Sequence, residues 1–270
     1  MSQVDGATMQ RFRAAYAEQR ASEGRGYAGA EYLALPYLTH GPLARQWAVR
    51  ARTFDAFMGR VLAPMVARSS RMVRVLDLGA GNGWLSYRAA LAGCDAIALD
   101  VRDDAVDGLG AAESFMTLVP GRIERVAGSF ESIPLGDASA DVVVFNASLH
   151  YALDLGTALQ EARRVVRRTG RVVILDSPFY RRASAGDAMV EEKRRTAGDV
   201  FGANAHALLA LPCIEYLTAA HLSASSDGLG LDWRRHRVSY PFWYEARAFT
   251  ARVRGRRAPS RFDLWESEIQ

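Results

Sequence analysis

Cysteine is scarce in this chain of 270 residues: Cys94 and Cys213 are the two it has. A disulfide framework is thereby excluded, as is any zinc or iron–sulfur site built on several cysteines. Lysine is scarcer still. Lys193 is the single lysine among 34 basic residues, which reads as a codon bias toward GC-rich DNA and makes the arginine count weak evidence of function. The net charge is only +4, short of the excess of a protein that grips nucleic acid by charge. Nine prolines and 23 glycines without a repeat exclude collagen-like and low-complexity classes, and 49% apolar content excludes disorder. No apolar run approaches the roughly 20 residues of a membrane span. The opening Met-Ser-Gln-Val-Asp shows no apolar leader signature. The expectation is a soluble, cytoplasmic protein with one large domain, or one core and a cap.

What is present is a change of period along the chain. Residues 11–20 predict a short helix, and a Gly/Pro-punctuated stretch follows to Pro42. Residues 43–68 carry Trp47, Ala51, Phe54, Met58, Val61, Leu62 and Met65 as a helical stripe, which Pro64 should kink or nearly end. Short β-rich runs then appear at 73–78, 96–100, 125–128, 141–146 and 171–176. Helical patterns lie between them at 85–92, 104–116 and 155–168, and Thr169-Gly170 reads as a helix C-cap. Strands apolar on both faces, alternating with helices, predict a parallel sheet covered on both sides. Beyond Pro178 the pattern is helical over 181–227, clearest at 188–198. Sixth and seventh strands are expected at 231–238 and 261–266.

The most informative segment is Val75-Leu76-Asp77-Leu78-Gly79-Ala80-Gly81-Asn82-Gly83-Trp84. It follows a buried strand and opens a helix, where glycines admit close backbone approach and the helix start offers N–H donors. Asp100 ends the next strand, 23 residues after Asp77, where a carboxylate can accept from both hydroxyls of a ribose. A dinucleotide loop would need glycine at position 84, and Trp84 stands there. Asp77 would repel a pyrophosphate but suits an ammonium or sulfonium charge.

The loop resembles motif I of class I S-adenosylmethionine (SAM)-dependent methyltransferases. Asp100 resembles their ribose-binding acid. The stretch from Gly128-Ser129-Phe130-Glu131 to Leu135, with the strand ending at Asn146, is similar to their third-strand loop and fourth strand. The resemblance covers residues 70–180 well. It implies an α/β fold: a doubly wound, seven-stranded, mostly parallel Rossmann-like sheet, lidded by helices from the N-terminus and from an insertion after strand five. The implied divisions are a lid at 1–70, a core at 71–180, a cap at 181–230 and C-terminal strands at 231–270. SAM is the implied cofactor, held by Asp77, Gly79, Ala80, Gly81, Asn82, Gly83, Asp100, Val101, Ser129, Phe130, Asn146 and Arg50. Many family members carry an acid after the third strand to meet the adenine; Ser129-Phe130 stands there, so a backbone N–H and the Phe130 ring take its place.

Several subclasses are set aside. Asn146-Ala147-Ser148-Leu149 is not the Asn-Pro-Pro-Tyr of base amino-methylation, and no cysteine lies near the expected site for attack on a pyrimidine. Asn146 replaces one acid of the metal-dependent pattern and Asp176-Ser177 gives only part of the other, so no metal is expected; the five histidines show no ligand spacing. No recognition module for a macromolecule is visible. The expected partner is a small-molecule substrate, with no nucleic acid and no membrane, in a monomer or homodimer. His150, Tyr180 and Asn146 are the catalytic candidates, His150 as general base. Tyr27, Tyr32, Tyr37 and Tyr180 are candidates for the substrate pocket, against the alternative of lid packing. The arginines from 252 to 261 read as a solvated face. The expected reaction is methyl transfer to an oxygen or nitrogen in secondary metabolism. Two alternatives stay open: cyclisation of SAM to azetidine-2-carboxylate and methylthioadenosine, and a non-catalytic SAM-binding partner subunit.

Overall fold

Helices that precede the first strand pack on one face of the sheet. The computed structural model describes residues 5–26 and 30–270. Helix α1 (Gly6–Ser22) starts at Asp5, whose carboxylate accepts the Thr8 amide, and a short α2 (Ala30–Ala34) follows. Helix α3 (Ala44–Phe57) runs through one π turn, Met58–Leu62, into α4 (Ala63–Arg68). The helix thus passes Pro64 through a π turn and ends four residues later, at Arg68. In the widened turn Ala63 N–H donates to Met58 O, five residues back, and the proline ring is accommodated where its missing N–H is not required.

Strands and helices then alternate: β1 (Arg74–Leu78), α5 (Trp84–Leu91), β2 (Asp95–Asp100), α6 (Glu113–Met116), β3 (Ile123–Ala127), β4 (Ala140–Asn146), α7 (Leu155–Val165) and β5 (Val166–Leu175). Helices α8 (Ala183–Phe201), α9 (Ala205–Leu208) and α10 (Ala219–Ser225) precede β6 (Trp233–His236). Helices α11 (Phe242–Glu245) and α12 (Arg247–Val253) separate β6 from β7 (Leu264–Glu268). The seven strands take the order β3-β2-β1-β4-β5-β7-β6. The first five are parallel, and β7 is antiparallel to both its neighbours. The fold is thus the doubly wound, mostly parallel sheet that the alternation predicts.

The core lies on both faces of that sheet. Val75, Val142, Val144 and Val173 pack against Trp47, Phe54, Trp84 and Phe115 from the helices of one side. Leu76, Leu78, Val143, Phe145 and Ile174 pack against Leu155, Leu159 and Leu222 of the other. Every residue of β4 is buried, which is why its sequence is apolar without alternation.

Two local expectations fail for visible reasons. Residues 104–116 do not form one helix. Asp104 Oδ1 accepts from the amides of both Val106 and Asp107, an aspartate turn that competes with helical pairing, and Gly108 is extended. Helix begins only with a 3₁₀ turn at Leu109–Ala112 and then α6. Thr169-Gly170 is not a helix cap either: α7 ends at Val165 and passes directly into β5. Thr169, at φ 63°, kinks β5, and Gly170 sits where a Cβ would lie 2.7 Å from Asp141 O.

Candidate cofactor and acceptor site

The site grows from the C-terminal ends of β1 and β2. Past Leu78 the chain turns at Gly79, where φ is +72° and a Cβ would fall 2.4 Å from Ser148 Cβ. The amides of Gly79 and Ala80 both donate to Leu99 O, at 2.8 and 3.0 Å, and pin the turn to β2. Asp100 stands at the end of that strand. Its Oδ2 accepts from Gly81 N at 2.8 Å and its Oδ1 from Arg102 N at 2.8 Å. Burial raises its pKa above the usual carboxylate range, against the pull of those two amides. Asn82 precedes Gly83, the N-cap of α5: its Oδ1 accepts Trp84 N, while its amide nitrogen donates to Asp107.

A cleft opens over this loop, with Asp100, Val101, Phe130 and Asn146 in its walls. Phe130 is held edge-on to Phe145, ring centroids 5.7 Å apart. Helix α1 forms the roof through Phe12, Tyr16 and Arg20. The Tyr16 ring lies between two guanidinium groups, Arg20 at 4.9 Å and Arg102 at 4.8 Å. Tyr16 Oη meets Tyr151 Oη at 3.1 Å, and Arg20 Nε lies 3.4 Å from Asp107. Roof and floor are therefore joined by polar contacts.

The cleft continues into a second chamber, and Arg50, Ala147 and Tyr151 belong to the walls of both. Here β4 and β5 end in strained backbone. Ala147 and Asp176 have φ values of 57° and 50°, a region that residues with a side chain seldom occupy. Arg50 reaches across: its Nε lies 3.3 Å from Asp176 Oδ2 and its Nη2 lies 3.4 Å from Asn146 Oδ1. The guanidinium rests between the Trp47 and Trp84 rings, at 4.8 and 5.5 Å. His150 lines the chamber against Tyr151, and its Nδ1 is 3.5 Å from Ser177 Oγ. Burial, with Lys193, Arg20 and Arg50 nearby, pushes its pKa down to about 3, so the imidazole is neutral. Trp243, Tyr244 and Arg247 supply the far side.

The structure brings together Gly79, Ala80, Gly81, Asn82, Asp100, Val101, Phe130, Asn146 and Arg50 around the cleft, and places His150 in the adjoining chamber. Gly83 and Ser129 flank these residues without forming the cleft wall; Ser129 Oγ instead accepts Glu131 N. Asp77 lies beneath the loop, wholly buried, with Ser86 Oγ donating to its Oδ2 at 3.0 Å and its Oδ1 unpartnered. Burial pushes its pKa up to about 7.

Of the four tyrosine candidates, the three among the described residues are elsewhere. Tyr32 is buried against Phe115, with its hydroxyl on Val106 O, and Tyr37 is exposed and bonds Asp55. Tyr180 is turned from the chamber because Phe179 pairs with Leu217 and Arg261. Its ring packs on Tyr216, and its hydroxyl accepts from Arg257. Tyr27 lies outside the described residues. Segment 181–230, expected as a cap, contributes no residue to either wall; 243–247 does. Phe12, Tyr16 and Arg20 were not among the candidates, nor was Tyr151 as a wall residue, and Asp176 was weighed only as part of a metal pattern. The four-residue spacing of Phe12, Tyr16 and Arg20 on one helix face was the available signal. Among the described residues no group of three or more His, Cys, Asp or Glu is placed to hold a metal ion, and no helix is long and apolar enough to cross a membrane.

Residues 76–174 match a family described as a methyltransferase domain. An uncharacterized methyltransferase of Mycobacterium tuberculosis is 38% identical over 111 residues, 41% of this chain and 40% of that protein. The chain thus spans about two fifths of the length of the curated relatives it matches first. Two solved structures share the fold. Geranyl diphosphate C-methyltransferase from Streptomyces coelicolor, in complex with Mg2+, geranyl diphosphate and S-adenosyl-L-homocysteine, has a TM-score of 0.62 at 12% identity and covers 100% of both chains. The 1,6-didemethyltoxoflavin-N1-methyltransferase of Burkholderia thailandensis, with bound 1,6-didemethyltoxoflavin and S-adenosylhomocysteine, has a TM-score of 0.56 at 17% identity, covering 100% of this chain and 93% of its own. The sheet order, the glycine loop closed by Asp100 and the domain match agree: residues 76–174 are a methyltransferase domain on the class I SAM-dependent fold, for which SAM is the cofactor.

Proposed function

We propose that the chain transfers a methyl group from SAM to an oxygen or nitrogen of a small molecule, as a step in secondary metabolism. One observation carries the reading. The cleft over the glycine loop continues past Arg50, Ala147 and Tyr151 into a distinct chamber lined by His150 and Asp176. Donor and acceptor therefore have adjoining sites at the carboxyl ends of the parallel strands, where open α/β sheets bind ligands.

The residues fit the cofactor. Asp100 keeps lone pairs free for the ribose hydroxyls while two amides hold its carboxylate in place. Phe130 and Val101 offer the adenine an apolar wall, and Arg50 the methionyl carboxylate a buried cation. The unpartnered Oδ1 of Asp77 lies beneath the loop, where a positively charged ligand would favour its ionised form. SAM supplies a methyl group that is already activated. The chain's part is orientation and water exclusion. Helix α1 covers the cleft and Asn146 fixes the Arg50 head. The neutral His150 imidazole accepts a hydrogen bond from the acceptor's O–H or N–H, which aims the lone pair; with its pKa pushed down it takes up a proton weakly.

The test is calorimetric titration with S-adenosylhomocysteine, then overnight incubation with SAM alone followed by mass spectrometry. Binding without methylthioadenosine above the enzyme-free control supports an acceptor-dependent transferase. Methylthioadenosine with an azetidine product overturns it.

A further inference from the structure

Resting on the two-site reading above, we propose that the acceptor bears an acidic group, a carboxylate or a phosphate, and that Arg45 and Arg247 bind it at the outer end of the chamber. Five arginines line this space, Arg20, Arg25, Arg45, Arg50 and Arg247, against one carboxylate, that of Asp176. Three of the five are already engaged. Arg50 pairs with Asp176, Arg20 with Glu23 and Asp107, and Arg25 with Glu23 and Gln46.

The outer two are different. Among the described residues neither Arg45 nor Arg247 has a carboxylate partner. Arg247 donates only to the carbonyls of Tyr244 and Ser260, through Nε and Nη2, which leaves donors of its planar fork unused. Its guanidinium is stacked 3.6 Å from the Tyr244 ring centroid, and that of Arg45 lies 5.6 Å from the Trp243 ring. Stacking fixes the plane of a guanidinium while leaving its edge available, the arrangement that favours recognition of a carboxylate or phosphate. A further polar group lies beside them: the Tyr244 hydroxyl is buried next to the Arg247 side chain. The neighbouring faces of Trp243, Phe262 and Val49 are apolar. The chamber thus suits an aromatic or aliphatic body with an acidic end pointing outward and the nucleophile inward, toward His150.

The experiment loads the full chain with S-adenosylhomocysteine and screens matched pairs by saturation-transfer NMR. Aryl and alkyl carboxylates and monophosphates are set against their amides and alcohols, for example 4-hydroxybenzoate against 4-hydroxybenzamide. Acidic members are expected to bind and neutral partners to bind at least about ten-fold more weakly. Arg45→Gln and Arg247→Gln should each weaken the acids by about ten-fold and leave S-adenosylhomocysteine affinity unchanged. Whether carboxylates or phosphates prevail identifies the acidic group. Neutral members binding as well as acids, acids indifferent to both substitutions, or no acid bound by the loaded protein would each overturn the proposal. Failure of the wild-type chain to bind S-adenosylhomocysteine overturns the two-site reading instead.

Discussion

Arg50 and Asp176 are paired across the seam between the two compartments, Nε to Oδ2 at 3.3 Å, with both side chains largely withdrawn from water. The pair joins α3, from the N-terminal helices, to the residue just past β5, and it holds Asp176 at a φ of 50°. Such strain persists only where the surroundings impose it. Breaking the pair from either side leaves one buried charge uncompensated, which costs about 3 kcal/mol or more. Arg50→Gln and Asp176→Asn should each lower stability to that order, and the double variant should lose less than the sum. Denaturant unfolding in a double-mutant cycle measures it, and additive losses would refute the coupling. Arg50→Gln should also weaken S-adenosylhomocysteine, whereas Asp176→Asn should do so less.

Asp100 gives the cleanest test of the cofactor assignment. Asp100→Ala removes the ribose acceptor and frees the amides of Gly81 and Arg102. Affinity for S-adenosylhomocysteine should fall by roughly ten-fold to a hundred-fold, since hydrogen bonds to a charged group contribute about 1.5–3 kcal/mol. Calorimetry showing unchanged affinity would remove Asp100 from the site.

Two glycines separate backbone strain from steric blockage. Gly79 and Gly93 both have positive φ, 72° and 87°. An alanine Cβ at 79 meets Ser148 at 2.4 Å, while at 93 it meets nothing within 4 Å. Gly93→Ala should cost about 1 kcal/mol and keep full S-adenosylhomocysteine affinity. Gly79→Ala should cost more and abolish binding. Equal binding by both variants would contradict the loop's proposed role.

His150 makes stability depend on acidity in a definite direction. Its pKa in the fold is about 3, against an ordinary 6.5. Above pH 6.5 neither folded nor unfolded chain carries the proton. Between 6.5 and about 3 the unfolded chain takes it up and the folded chain does not, so stability falls as pH falls. Asp77, raised to about 7 from 3.8, acts in the opposite sense and loses stability as pH rises through 7. His150→Gln should therefore show a smaller drop in Tm from pH 6.5 to 4 than wild type, and Asp77→Asn a larger one. Parallel Tm–pH curves would show that the imidazole is solvated.

Legibility in the sequence followed the range of the interactions. The strands and the loop from Gly79 to Gly83 were readable because their signals are local: apolar runs, glycines at a turn, an acid at a strand end. Helix 104–116 was misread because Asp104 bonds two nearby amides, an alternative that periodicity ignores. Tyr180 was misplaced because its direction is set by the pairing of Phe179 with residues 38 and 82 positions later. A lid from residues 1–70 was legible, but the side chains by which it meets the site were not, for the same reason. Tyr16 matters because Arg102 and Tyr151 come to it from distant parts of the chain, and nothing around Tyr16 announces them.

The roof is also weakly moored. Of the 17 residues of α1 only Ala15 is buried, so little apolar area is released when the helix lifts. Over the cleft it is held by a hydroxyl pair, stacked guanidinium groups and a long ion pair, and on its other side by packing on α9 and a hydrogen bond from Asn204 to Glu18, contacts made mostly by polar groups. Opening is then inexpensive and closure draws on the ligand beneath. The amide hydrogens of α1 should exchange with deuterium long before those of β4, and slow when the cleft is filled. Residence of the spent cofactor, more than the chemistry over the loop, would then pace each turnover.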